Sequence, residues 1–177
     1  MISNNEIQII KSQFSTIYYE DISSIFRLVR RSVWSYMQKT RPGILLGLLE
    51  LGFNRGNFIG GLHYSGTNQI FLNKSALRVM QEESDPDEYK AYLYFLLLHE
   101  YIHSIGYQDE ILTRRTTKEI ILKIFSTDHI LGKLAINGLN YFFPYTFNQR
   151  KYQPSQEELL NPEYVTLHQS ESELTYN

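Results

Sequence analysis

Cysteine is absent from this 177-residue chain. That excludes disulfides, thiolate metal sites and cysteine nucleophiles, and it fits a reducing compartment. A charge excess is lacking too, since 17 Lys and Arg stand against 19 Asp and Glu. Without a global basic field nucleic acid is not expected as a partner, and local basic spots such as Arg27, Arg30 and Arg31 read as solvated helix face. Long apolar runs are missing. The longest, Ile44 to Phe53 and Tyr92 to Leu98, fall well short of the roughly 20 residues that a membrane span requires. The opening Met1-Ile2-Ser3-Asn4-Asn5-Glu6 lacks a basic start followed by an apolar stretch, so no secretory leader is expected. The expectation is a soluble, cytoplasmic protein with no membrane partner; its oligomeric state is not legible.

What is present reads as one globular domain with a real core. After Asp21, apolar residues at Ile22, Ile25, Phe26, Val29, Val33, Tyr36 and Met37 keep one helical face apolar, with a stop at Pro42-Gly43. Glu6 to Tyr18 is ambiguous between helix and strand, with helix preferred. Seven of the ten glycines fall between residues 43 and 66. They punctuate short apolar segments: Ile44 to Leu49, Leu62 to Tyr64, and Gln69 to Asn73. A turn is expected at Asn54 to Asn57, and the region reads as a small antiparallel sheet.

Helical patterning then returns. A short helix over Lys74 to Glu83 precedes a strong start signal, in which Asp85 can cap, Pro86 suits the first position and Glu88 sits three past the cap. That helix should run to about Ile105, with Gly106 just beyond it. Its second half is apolar nearly all round, so it should lie buried at the centre. Further helices are expected over about Asp109 to Phe125 and Asp128 to Phe142.

The central helix contains His99-Glu100-Tyr101-Ile102-His103. Two histidines four apart share a helical face, and their rings can converge on one ion. Glu100, rotated about 100° from His99, can serve a metal-activated water without being a ligand. A chance match to this pattern is expected in roughly one shuffled sequence in a hundred. Here it sits in the most apolar part of the chain, where burying two imidazoles and a carboxylate without a metal or dedicated partners would be costly.

The segment resembles the active-site helix of the zincin metallopeptidases, and the resemblance runs from Gln69 to Glu110. It implies a zinc ion, with Glu100 as general base. Gln69, Ile70, Phe71, Leu72 and Asn73 resemble the zincin edge strand, to which an extended peptide substrate would add. The longer run His99-Glu100-x-x-His103-x-x-Gly106-x-x-Asp109 is similar to the metzincin signature, with Asp in place of the usual third histidine. That makes Asp109 the foremost third ligand, with Gly106 supplying a positive φ. The sequence departs from that group in having all three methionines, Met1, Met37 and Met80, upstream of the helix. A gluzincin-like pattern, with a ligand from a later helix, keeps His129, Glu119 and Glu110 open as alternatives. His129 also reads as a helix cap, and Glu119 as an exposed partner of Arg115. His63 could line a cleft, His168 reads as solvated, and Tyr101 or Tyr107 could donate to an oxyanion.

The expected fold is α+β and zincin-like: N-terminal helices, a small, mainly antiparallel sheet, a central H-E-x-x-H helix and C-terminal helices. Residues 1–152 are expected to form a catalytic domain, and 153–177 a polar tail, mobile or lying on the surface. The expected function is zinc-dependent hydrolysis of peptide bonds in a peptide or protein substrate, by an endopeptidase rather than an exopeptidase. The alternative is a non-catalytic or self-inhibited binding protein on the same scaffold.

Overall fold

The computed structural model describes residues 2–54, 58–139 and 151–167. Ser3 caps α1 (Asn4–Thr16), where its hydroxyl accepts from the Glu6 N–H. The helix buries Ile10 and Phe14, one turn apart, and this resolves the ambiguous N-terminal segment as helix. Asp21 caps α2 (Ile22–Met37), whose buried face carries Ile25, Phe26, Val29 and Val33. This helix stops five residues before Pro42, because Gln38 turns left-handed at φ 54°. Its side chain and backbone N–H both return to the Trp34 carbonyl, which completes the last turn.

Strands β1 (Leu45–Leu49), β2 (Phe53–Asn54), β3 (Gly61–His63) and β4 (Gln69–Asn73) follow. The turn expected at Asn54 to Asn57 lies partly outside the described residues. Helices α3 (Lys74–Glu83), α4 (Pro86–Ser104), α5 (Glu110–Ile124) and α6 (Ile130–Asn137) come next, then β5 (Lys151–Tyr152), α7 (Gln156–Leu160) and β6 (Glu163–Tyr164). Helix α6 ends earlier than its apolar pattern implied, because Gly138 leaves helical geometry at φ 76°.

The main sheet has the order β3-β4-β1-β6. β3 runs antiparallel to β4, and β6 antiparallel to β1, but the central β1–β4 pair is parallel, Leu45 opposite Gln69 through Leu49 opposite Asn73. The sheet is therefore mixed rather than antiparallel throughout. β2 and β3 lie between the parallel strands in the chain and supply the crossover that such a pair needs. β4 is interior, flanked on both sides, so the edge-strand expectation for Gln69 to Asn73 is corrected. Their backbone groups are taken up by β1 and β3, and Ile70, Phe71, Leu72 and Asn73 are buried. The free edge belongs to β3. Residues 153–167, read from sequence as the start of a tail, supply β6 on the opposite edge, and Lys74 pairs with Glu163 at 3.0 Å.

α4 crosses beneath the sheet and packs against α2, α5 and α6 on its other sides. The capping box at its start is formed as expected, with Asp85 accepting from Asp87 and Glu88 and the Glu88 carboxylate accepting from the Asp85 N–H. Leu93, Leu97, Leu98, Tyr101 and Ile102 are fully buried on it, each contributing about 1.5–3 kcal/mol by leaving water. This neighbourhood on every side is why α4 is apolar around nearly its whole circumference. No described helix is long and apolar enough to cross a membrane.

Candidate metal centre

The last two turns of α4 carry His99, Glu100 and His103. The chain then reverses at Gly106, whose φ of 108° only glycine adopts readily. The reversal lets α5 begin beside α4, so that its first residue, Glu110, faces the two histidines. Glu110 Oε2 lies 3.1 Å from His103 Nε2 and 3.5 Å from His99 Nε2. One donor atom from each of the three residues falls within a 4.8 Å group. Tetrahedral zinc with ligands at 2.0–2.1 Å holds neighbouring donors about 3.4 Å apart. Glu110 meets that spacing with both histidines, within a group whose donor atoms lie no more than 4.8 Å apart.

The chemistry of the donors points the same way. His103 Nδ1 lies 2.7 Å from the Tyr107 carbonyl, an acceptor only, so this nitrogen carries the proton. Nε2, on the other side of the ring, faces the Glu110 carboxylate. Burial holds the His99 imidazole below its ordinary pKa and favours its neutral, ligating form, although the Glu110 charge opposes this. Burial also disfavours the Glu110 charge, but the hydrogen bond and positive charge of Arg114 work against it and the carboxyl lies below the usual range. Arg114 Nε donates to Glu110 Oε1 at 2.6 Å, which leaves Oε2 for the histidines. Two ring nitrogens and a carboxylate oxygen lie within 4.8 Å of one another, a grouping that could hold a metal ion or share protons between the rings and the carboxylate.

Glu100 sits beside this set and is 5% exposed. Burial, reinforced by the negative charge of Glu110, pushes its carboxyl up to about 8. It packs against β3 at Gly61, where a Cβ would stand 3.1 Å from Glu100 Cγ and 3.4 Å from Oε1. His63 shares that face of the strand, and its Nε2 donates to the Thr67 carbonyl at 3.1 Å. Gly60 accepts from Asn73 N–H, so Gly60–Asn73 and Leu62–Phe71 are the hydrogen-bonded pairs. The N–H and C=O groups of Gly61 and His63 therefore point to the free edge.

The other expected ligands are engaged elsewhere. Asp109 is the N-cap of α5, its carboxylate accepting from the Leu112 N–H at 2.7 Å, and it is its neighbour Glu110 that lies with the two histidines. The capping position was the available clue, since it commits one Asp109 oxygen to a helix N–H and turns the side chain back onto α5. Glu119 pairs with Arg115 at 2.9 Å on the exposed face of α5. His129 caps α6 and stacks on Phe125 with ring centroids 4.7 Å apart. Tyr101 is buried with its hydroxyl turned to Thr40 and Arg41, away from the donors. Tyr107 contributes its carbonyl, while its hydroxyl meets Lys39. His168 lies outside the described residues. Comparison with protein-family models, curated proteins and solved structures finds no match for this chain.

Proposed function

We propose that this chain is a zinc-dependent endopeptidase of the zincin type, with His99, His103 and Glu110 as zinc ligands and Glu100 as general base. The observation that carries the reading is the gathering of two ring nitrogens and a carboxylate oxygen within 4.8 Å of one another, with a second, buried carboxylate alongside. Zinc bound there supplies Lewis acidity, polarising the scissile carbonyl and lowering the pKa of water.

The chain's own residues do the rest. Burial keeps the Glu100 carboxyl largely protonated in the metal-free protein; a cation held beside it would favour the carboxylate, which would take the proton of the attacking water and deliver it to the leaving amine. The position of Glu100 against Gly61 puts that exchange next to the free edge of β3. An extended peptide adding there would bond to the outward N–H and C=O groups of Gly61 and His63, so the substrate track moves from β4 to β3. Gly60 and Gly61 lack the Cβ atoms that would crowd Leu96 and Glu100, so this edge lies close against α4. Among the described residues no strand covers that edge, and residues 151–167 pair with β1 and β2 instead. This arrangement favours an enzyme over a self-plugged binding protein. The proposed partner is a peptide or protein substrate, and the proposed setting is the cytoplasm.

The test is a pair of substitutions read by metal analysis and peptide cleavage. Glu100→Gln is expected to retain zinc and lose cleavage by two or more orders of magnitude, and His103→Ala to lose both. Wild-type protein that takes up no transition metal, or His103→Ala with undiminished zinc, would sink the proposal.

A further inference from the structure

We infer that Arg41 is a positioning residue of the metal centre, holding the last turn of α4, and with it His103, against the β3–β4 turn to which His63 is bound. The inference rests on the zinc reading above. Arg41 lies in the connection between α2 and β1, remote in sequence from every proposed ligand and half-buried. Three of its groups reach two different elements. The backbone N–H donates to the Tyr101 hydroxyl at 2.9 Å. Nη1 donates to the carbonyl of Ser104, the last residue of α4. Nη2 donates to the Thr67 carbonyl at 2.7 Å.

Tyr101 and Ser104 bracket His103 on the helix, so Arg41 holds the ligand's turn on both sides. The Ser104 carbonyl is among the last four of the helix, which have no partner further along it, and a cation there also suits the helix dipole. The anchor at the other end is stiff. Thr67 closes the turn with its N–H on the Tyr64 carbonyl at 3.0 Å and its hydroxyl on the same oxygen at 2.7 Å. His63 Nε2 shares the Thr67 carbonyl with Arg41. One guanidinium therefore sets the separation between the metal helix and the strand edge where substrate would lie. A planar fork meets two carbonyls in fixed directions, which a lysine ammonium cannot do.

The experiment measures zinc affinity by competition with a chromophoric chelator, on folded wild type, Arg41→Ala, Arg41→Lys and Arg31→Ala. The last removes a comparable arginine pair on α1 and α2, far from the donors in the chain, and serves as a stability control. Folding is checked by circular dichroism, and the ring nitrogens of His63 and His103 are followed by NMR in the zinc-loaded proteins. Arg41→Ala is expected to weaken zinc by about 10–100-fold and Arg41→Lys by less, with both ring signals displaced and Arg31→Ala unchanged. Should Arg41→Ala fail to fold, Arg41→Lys decides alone. Folded Arg41 variants with wild-type zinc affinity and unmoved ring signals overturn the inference, as does an equal loss in Arg31→Ala. Wild type that binds no zinc overturns the functional reading itself, and is told apart because it fails before any variant is compared.

Discussion

Neighbouring carboxylates on α5 divide two tasks between them. Asp109 precedes the first turn and satisfies a free N–H of the helix, while Glu110 begins that turn and reaches the histidines. Glu110→Ala is expected to lower zinc affinity by several orders of magnitude with little loss of fold. Asp109→Ala should keep zinc and cost about 1 kcal/mol of stability, measured by urea unfolding. The reverse pattern would return the ligand role to Asp109. A second residue-scale effect is electrostatic. Glu6 accepts from Arg31 at 2.6 and 2.9 Å and from Ser35 at 2.9 Å. The Arg31 hydrogen bond, opposed by partial burial, leaves its carboxyl below the usual range. A depressed folded-state pKa adds stability that is complete above the unfolded value, near 4.5, and is lost as pH falls through the folded value. Glu6→Gln should therefore cost about 1 kcal/mol at pH 7, with the difference from wild type vanishing in acid; the figure allows for solvent screening of a partly exposed pair.

Helix packing supplies the sharpest test at the scale of elements. α6 closes the far side of α4, and it approaches the preceding loop so tightly that a Cβ on Gly132 would stand 2.1 Å from the Ser126 carbonyl oxygen. Backbone cannot yield as a flexible side chain can. Gly132→Ala is expected to cost about 2–4 kcal/mol in urea unfolding despite the better helix propensity of alanine. A neutral or stabilising result would mean that α6 is not seated as described. The helices themselves were legible in the sequence because their signals are local. Asp85, Pro86 and Glu88 start α4, and Gly106 and Gly138 end α4 and α6. The sheet was legible only in part. Which strand flanks β4 depends on chain returning from far away, and β6, which completes the sheet, is two residues long, too short for a pattern to declare it.

Metal binding and folding of the whole molecule should be linked, because the donors come from two helices that must be docked to meet. Zinc at about a hundred times its dissociation constant adds about 2.7 kcal/mol to the native state. For a chain of this size that corresponds to a rise in melting temperature of about 5–10 °C, reversed by a chelator. Differential scanning calorimetry with and without zinc checks this. Identical melting curves would speak against a site assembled by the fold. The same linkage predicts that Glu110→Ala melts alike with and without zinc.

The sequence by itself determined the buried central helix and the His-Glu-x-x-His pattern at its end. Spacing of four along a helix, an acidic neighbour and an apolar setting are all properties of contiguous residues, and local geometry converts them directly into a face. Tertiary structure alone brought Glu110 rather than Asp109 to the histidines, moved the free edge from β4 to β3, and brought Arg41 to the end of α4. Each of these depends on how separate elements dock. Docking is governed by the shared burial of side chains far apart in the chain, such as Leu46, Ile70, Leu72 and Leu97, whose partners no local pattern names.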